Sequence, residues 1–114
     1  MKNNKRTVFI EDAGACIVSK SILDGSGKVK WLLRENPADE SDCGWRFFSD
    51  TDCDIYLSNP KNLSVVDFNQ VASIEPALLS IYDCPIGSDL QLVSKDGRIS
   101  FYDNLTGGQI ENDS

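Results

Sequence analysis

The chain of 114 residues contains no histidine. A Ser-His-Asp or Cys-His catalytic arrangement uses an imidazole as its general base, so neither can be built within this chain. Four cysteines are present, but none forms a C-x-x-C motif, and there is no histidine to complete a mixed zinc site. We therefore expect a protein that uses no metal and no other cofactor.

Long apolar runs are also missing. No window approaches the roughly 20 apolar residues of a membrane span. The basic start resembles the first region of a signal peptide, but the apolar residues 7–10 are followed by Glu11 and Asp12 before an apolar region of sufficient length has formed. We expect a cytoplasmic protein that does not contact a membrane.

The cysteines are expected to be free thiols in a reducing cytoplasm. Cys16 lies in an apolar run, which predicts a small core residue. A disulfide between Cys43 and Cys53, bracketing an aromatic segment, is the alternative.

Positive charge is scarce beyond Arg34. Residues 1–34 carry seven bases and three acids, residues 35–54 one base and seven acids, and residues 55–114 three bases and eight acids, for a net charge of −7. Nucleic-acid binding needs clustered Lys and Arg side chains, so we expect no nucleic-acid partner. A basic protein partner fits this charge better, and simple solubility is the competing explanation.

Two segments in the first third of the chain have the patterns of strands. Residues 15–18 are apolar and β-branched, as in a buried strand, and residues 28–34 alternate between apolar and polar. The alternation predicts that Val29, Trp31 and Leu33 share the buried side of a half-buried strand.

A polar loop at residues 35–44 separates this strand from residues 45–48, where extended structure resumes. The two strands should pair in antiparallel fashion through this long connection. Loops of such length in compact domains are often functional.

The second half predicts a helix followed by a hairpin. Asp67 is placed to cap a helix at residues 68–74, and Pro76 favours the start of a second helical turn. Two strand-like segments flank Asp96 and Gly97, and an Asp-Gly pair is typical of a two-residue type I′ turn. We therefore predict an α+β domain with a mainly antiparallel sheet, one or two short helices and a C-terminal β-hairpin.

The expected domain organisation is simple. A chain of this length forms one domain. We expect a flexible N-terminus at residues 1–12, a single domain at residues 13–102 and a frayed C-terminal tail at residues 103–114.

The candidate site is the acidic and aromatic stretch at residues 34–54. Trp45 follows a glycine at the end of the loop, so we expect it to be partly exposed as an interface anchor, whereas Trp31 and Phe47 are expected in the core. The alternative is that this motif is structural, with Asp42 and Arg46 fixing the loop and Trp45 filling the core. Arg34 and Arg46 are expected to bridge the acids of the loop. The residues predicted to contact a partner are Glu35, Asp39, Glu40, Asp42, Trp45, Asp50, Asp52 and Asp54.

Other chemistry fits this stretch less well. Residues 50–54 resemble the first half of a calcium loop, but Ile55 stands where glycine is needed and Lys61 where glutamate is needed. Carboxylate pairs such as Asp39 and Asp42 act as acid and base only in a cleft that separates their pKa values. A solvated acidic loop is the preferred interpretation.

Several motifs occur in an order typical of one family. They are Val18-Ser19-Lys20, Trp31-Leu32-Leu33-Arg34-Glu35-Asn36-Pro37, Asp42-Cys43-Gly44-Trp45-Arg46-Phe47-Phe48-Ser49, Asp52 with Tyr56 and Leu57, Val66-Asp67-Phe68-Asn69, and Pro85-Ile86-Gly87. Through these motifs the sequence resembles the immunity protein 33-like family, small bacterial domains grouped with the immunity proteins of polymorphic toxin systems. The resemblance covers approximately residues 15–93.

This resemblance implies a non-enzymatic protein that binds and neutralises a cognate protein toxin. An acidic surface suits that role because it can cover the basic face of a nuclease toxin. We expect a monomer or weak dimer. The alternatives are a regulatory or small-ligand-binding domain with no toxin partner and, ranked last, a carboxylate-based hydrolase.

Overall fold

The structure, a computed structural model, describes residues 8–110. Within them, six strands form one sheet in the order β4-β1-β3-β2-β5-β6. The strands are β1 (Ala15–Ser19), β2 (Val29–Arg34), β3 (Asp42–Ser49), β4 (Leu63–Asp67), β5 (Asp89–Lys95) and β6 (Arg98–Asp103). The α-helices are α1 (Lys20–Leu23), α2 (Asp54–Leu57) and α3 (Phe68–Ile74), and 3-10 helices span Pro60–Asn62 and Pro76–Ile81.

Four of the five strand pairs are antiparallel, and β1 with β3 is the parallel one. The predicted α+β class with a mainly antiparallel sheet is confirmed. So is the predicted antiparallel pair formed by the strands on either side of the acidic loop, which are β2 and β3.

The predictions of a turn, a helix cap and a helix start in the second half of the chain are confirmed. Asp96 and Gly97 both have positive φ, 52° and 77°, between β5 and β6, as a type I′ turn requires. The carboxylate of Asp67 accepts a hydrogen bond of 2.8 Å from the N–H of Asn69 and so caps α3. Pro76 begins the second 3-10 helix.

The core lies on one side of the sheet. Trp45 and Phe47 of β3 are fully buried there, and they pack with Phe68 of α3 and Leu78 of the second 3-10 helix. Strand neighbours of these core residues point to the opposite side, because successive side chains alternate between faces. We call that side the open face; in the four strands β4, β1, β3 and β2 it carries Val65, Ile17, Arg46, Phe48, Trp31 and Leu33.

A β-bulge in β2 overturns one prediction. Val29 pairs with Ser49, and Trp31 pairs with the adjacent Phe48, so Lys30 is an extra residue in the ladder. Beyond the bulge the alternation is inverted. Leu32 is fully buried and Trp31 is 40% exposed, so the predicted burial of Trp31 is wrong.

Both ends of the described part of the chain are hydrogen-bonded to the rest of the domain, one to α3 and the other to β6. The N–H groups of Phe9 and Ile10 both donate to Oδ1 of the buried Asn69. The N–H of Ile110 donates to the carbonyl of Phe101 at 2.8 Å. The domain limits at residues 12 and 102 stay a prediction, and parts of the predicted flexible N-terminus and frayed tail, residues 1–7 and 111–114, lie outside the described residues.

All four cysteines are free thiols, and Cys16 is buried as predicted. The alternative of a Cys43–Cys53 disulfide is wrong because β3 holds the two residues apart. Cys43 is the second residue of β3 and Cys53 follows its end, whereas a disulfide needs Cα atoms within roughly 7 Å. Across residues 8–110, no helix has the length and apolar character needed to cross a membrane.

Candidate partner-binding site

Strand β3 divides the predicted contact residues into two groups. A strand rises about 3.3 Å per residue, so the seven steps from Asp42 to Ser49 separate its ends by about 23 Å. The first acidic group, beside the start of β3, is Glu35, Asp39, Glu40 and Asp42. The second acidic group, beyond its end, is Asp50, Asp52 and Asp54.

Arg46 organises the first acidic group from the open face. Asp42 and Arg46 are four residues apart on one strand, which places them on the same face. The guanidinium donates two bonds to Asp42, Nη1 to Oδ1 at 2.9 Å and Nη2 to Oδ2 at 2.8 Å, and Nε donates to Oε2 of Glu35 at 2.9 Å. Arg46 is 6% exposed, so its charge is compensated by this bidentate pair and by Glu35.

Asp42 and Arg46 each stabilise the charged form of the other. Hydrogen bonds from Arg46 hold the pKa of Asp42 well below its ordinary value against the opposing effect of burial, and the N–H groups of Ala38 and Gly44 add to the lowering. Asp42 in turn raises the pKa of Arg46. These hydrogen bonds hold the side chains of Asp42, Arg46 and Glu35, two acids and one base, in a fixed arrangement.

Asp39 and Glu40 project from the same loop. The carboxylate Oδ1 of Asp39 accepts bonds from the N–H of Ser41 at 2.9 Å and from its hydroxyl at 2.6 Å, and these bonds lower the pKa of Asp39. Both Asp39 and Glu40 are exposed. The loop therefore has a defined shape and presents two carboxylates to solvent.

Trp45 does not have the exposed position that its sequence context predicted. It lies on the core side of β3, is fully buried, and donates from Nε1 to the carbonyl of Tyr82 at 3.0 Å. Its ring stacks on Phe47 at a centroid distance of 5.8 Å. The prediction of Trp45 as a partly exposed anchor is wrong because alternation along β3 turns Arg46, not Trp45, to the open face.

Arg34 differs from its prediction as well, whereas Arg46 bridges the acids as expected. The Arg34 guanidinium donates to three main-chain carbonyls, those of Cys43, Tyr82 and Cys84, at 2.8–3.1 Å. It also lies 5.6 Å from the centroid of the Trp45 ring. Arg34 thus joins β2 to the segment after the second 3-10 helix instead of binding the acidic loop.

The exposed aromatic residue of the open face is Trp31. It pairs with Phe48 across β2 and β3, next to the Leu33–Arg46 pair, and all four side chains belong to the open face. The Nζ atom of Lys30 lies 5.4 Å from the Trp31 ring centroid. Sequence reasoning missed Trp31 because it assumed strict alternation; the apolar pair Leu32-Leu33 directly after it was a signal that alternation fails.

The second acidic group is partly used by the fold. Asp52 Oδ2 accepts from the N–H of Ser49 and Oδ1 accepts from the Ser21 hydroxyl, both at 2.7 Å. The Ser21 and Ser49 hydroxyl oxygens are 2.7 Å apart. Because the one hydroxyl hydrogen of Ser21 is donated to the carboxylate of Asp52, the hydroxyl of Ser49 is the donor to Ser21. Burial acts to raise the pKa of Asp52, but these hydrogen bonds outweigh it and lower the pKa.

Asp50 and Asp54 remain exposed. Asp50 Oδ1 accepts from the main-chain N–H of Lys28 at 3.0 Å, and Asp54 is the first residue of α2. The second acidic group therefore offers two exposed carboxylates, while the carboxylate of Asp52 is committed to internal hydrogen bonds.

Fold and site together define a small α+β domain with one packed sheet face and one open face, and the open face carries both an exposed tryptophan and the carboxylates bound by Arg46. The chain matches the family described as the immunity protein Imm33 domain over residues 16–102, well over half of its length. It belongs to this family, as its motifs indicated. No curated protein matches the chain, and no solved structure does.

Proposed function

We propose that this protein binds a cognate protein toxin and neutralises it by covering part of its surface, without catalysing a reaction. Family membership supports a toxin-related role. The observation that carries the proposal is that the open face presents both Trp31, which is 40% exposed, and the carboxylates that Arg46 holds in place.

This surface has the composition of a binding interface. Aromatic residues dominate the energetics of interface centres, and surrounding charges steer association. The Glu35 side chain is 61% exposed even though it binds Arg46, so one side of its carboxylate is available to a partner. A toxin that presents a basic face, as a nuclease does to nucleic acid, is the partner that this charge fits.

The proposed contact surface contains the open face and the first acidic group. An interface of about 800 Å² per partner is roughly 30 Å across. Glu35 is hydrogen-bonded to Gly44, and Trp31 pairs with Phe48, which is four residues or about 13 Å from Gly44 along β3, whereas Asp50 is six residues or about 20 Å from Gly44. If Glu35 is near the centre of the interface, Trp31 is therefore inside it, and Asp50 and Asp54 fall toward the rim, where charges contribute little to affinity. Trp45 is not part of this surface, and Asp42 acts by orienting Arg46.

The test is co-expression with the product of the adjacent gene, followed by isolation of the complex and calorimetric titration. Asp39→Lys with Glu40→Lys should weaken binding about 10- to 100-fold and reduce its salt dependence. The matched control, Asp50→Lys with Asp54→Lys, makes the same charge change at the other end of β3 and should weaken binding less than about threefold.

Two results would contradict the proposal. Equal losses for the two double variants would show that net charge, and not this surface, determines binding. Failure of the wild-type protein to form any complex with the adjacent gene product would favour the alternative, a regulatory or small-ligand-binding domain with no toxin partner.

A further inference from the structure

Strand β4 forms an edge of the sheet, with β1 as its neighbour. Proteins usually protect such edges with lysine, proline or a bulge, because an open edge pairs readily with another strand. Leu63–Asp67 contains no lysine, arginine or proline, its pairing with β1 is regular, and Val65 is 72% exposed. Among residues 8–110, no strand other than β1 pairs with β4, so in this part of the chain the edge is open to an additional strand.

The hydrogen-bond pattern shows which residues of β4 face outward. The N–H of Phe68 donates to the carbonyl of Gly14 at 2.9 Å, just beyond the paired residues Ala15 and Asp67. Hydrogen-bonded pairs alternate along an antiparallel ladder, so the next one is Cys16 with Val66. The N–H and C=O of Val65 consequently point away from β1.

A groove of about 630 Å³ lies beside the Asp67 end of β4. Four carboxylates line it, those of Glu11, Asp12, Glu40 and Asp67, together with apolar residues that include Val65. No Lys or Arg is among the described residues that line it. The groove thus combines apolar lining residues and four carboxylates at the end of an open strand edge.

We infer that the β4 edge and this groove bind an extended, basic segment of the partner protein by strand addition. The main chain of the segment pairs with Val65, and its Lys or Arg side chains reach the carboxylates of Glu11, Asp12 and Glu40. The inference rests on the proposed function, because it takes the toxin as the source of the segment. Glu40 belongs both to the groove and to the first acidic group, so the two surfaces are continuous.

A second copy of this chain is the other occupant to consider. Antiparallel pairing of β4 with its own copy would bring together two chains that each carry a net charge of −7. Net charge of one sign keeps copies apart. A basic segment gains from the same charges, and this is why we assign the edge to the partner.

The experiment compares two proline variants in complex formation with the adjacent gene product. Val65→Pro removes an N–H that points away from β1 and leaves the β1–β4 hydrogen bonds in place. The control is Ile99→Pro on β6, the opposite edge. The carbonyl of Phe101 accepts from Ile110, so alternate residues of β6, including Ile99, also face outward. We expect Val65→Pro to weaken binding at least 30-fold and Ile99→Pro less than threefold.

A second measurement needs no variant. Amide hydrogen exchange at Val65 should slow at least tenfold when the wild-type complex forms, while exchange at Ile99 stays the same.

Removal of two groove charges by Glu11→Gln with Asp12→Asn should weaken binding about tenfold, and asparagine suits position 12, where φ is 54°.

The outcomes separate the two proposals. A wild-type complex that tolerates Val65→Pro and leaves Val65 exchange unchanged overturns the strand addition alone. Absence of any wild-type complex overturns the proposed function and this inference together. Protection of Val65 in the isolated protein, accompanied by a dimer in sedimentation, assigns the edge to a second copy and also overturns the inference.

Discussion

The carbonyl oxygen of Glu35 occupies the place that a side chain on residue 44 would need. A Cβ built on Gly44 would contact that oxygen closer than any real Cβ does, and Gly44 has a φ of +91°. The N–H of Glu35 donates to the Gly44 carbonyl at 2.8 Å. This close approach of the two backbones holds Glu35 where its carboxylate meets Arg46.

Replacement of Gly44 by alanine should therefore destabilise the protein severely. The left-handed φ alone costs about 1–2 kcal/mol for a residue with a Cβ, and the clash adds about 1–3 kcal/mol of overpacking. Gly25→Ala is the control, since Gly25 has a φ of +84° and nothing within 4 Å of its Cβ position. Urea unfolding should show the larger loss for Gly44→Ala; equal losses would contradict the contact.

Arg46→Ala should cost about 3–5 kcal/mol of unfolding free energy. It leaves the carboxylate of Asp42, whose side chain is only 13% exposed, without its bidentate partner. Glu35→Gln should cost at most about 1 kcal/mol, because the Glu35 side chain is 61% exposed and solvent screens its interaction. Chemical denaturation of both variants measures the difference, and similar costs would show that Asp42 is not the main partner.

Stability should fall in acid. The pKa values of Asp42 and Asp52 are lowered in the folded protein from an ordinary value of 3.8, so below that value the unfolded chain binds more protons than the folded one. The contribution of these two carboxylates to the free energy of unfolding is complete above about pH 4, and it declines as the pH falls further.

Asp42→Asn should reduce the slope of this decline between about pH 4 and pH 2. The control is Glu40→Gln, which removes an exposed carboxylate from the same loop. Thermal denaturation across this pH range measures both slopes. An unchanged slope in Asp42→Asn would show that other carboxyl groups produce the acid sensitivity.

Trp31→Ala should weaken the proposed toxin binding by about 2 kcal/mol, a loss of roughly 30-fold in affinity. Ile99→Ala is matched in exposure, since both residues are 40% exposed, but Ile99 lies outside the proposed contact surface. Isothermal titration of both variants against the toxin gives the comparison. Equal affinities for Trp31→Ala and wild type would remove Trp31 from the interface.

Local features of the fold were readable because their causes lie within a few residues. The turn at Asp96 and Gly97 and the cap at Asp67 depend on turn chemistry and on one side-chain bond. The predicted anchor, Trp45, shows the limit of such reasoning. Its neighbour Gly44 suggested exposure, but the strand face that it occupies depends on packing against the distant Tyr82.

By itself, the sequence determined the family, the α+β class, the C-terminal hairpin and the acidic loop between two antiparallel strands. These follow from motif order, local periodicity and charge, all of which are properties of neighbouring residues. Only the tertiary structure decided that a bulge at Lys30 turns Trp31 outward and that Arg46, and not Trp45, lies on the open face. Both depend on strand register, which is set by contacts between residues far apart in the chain.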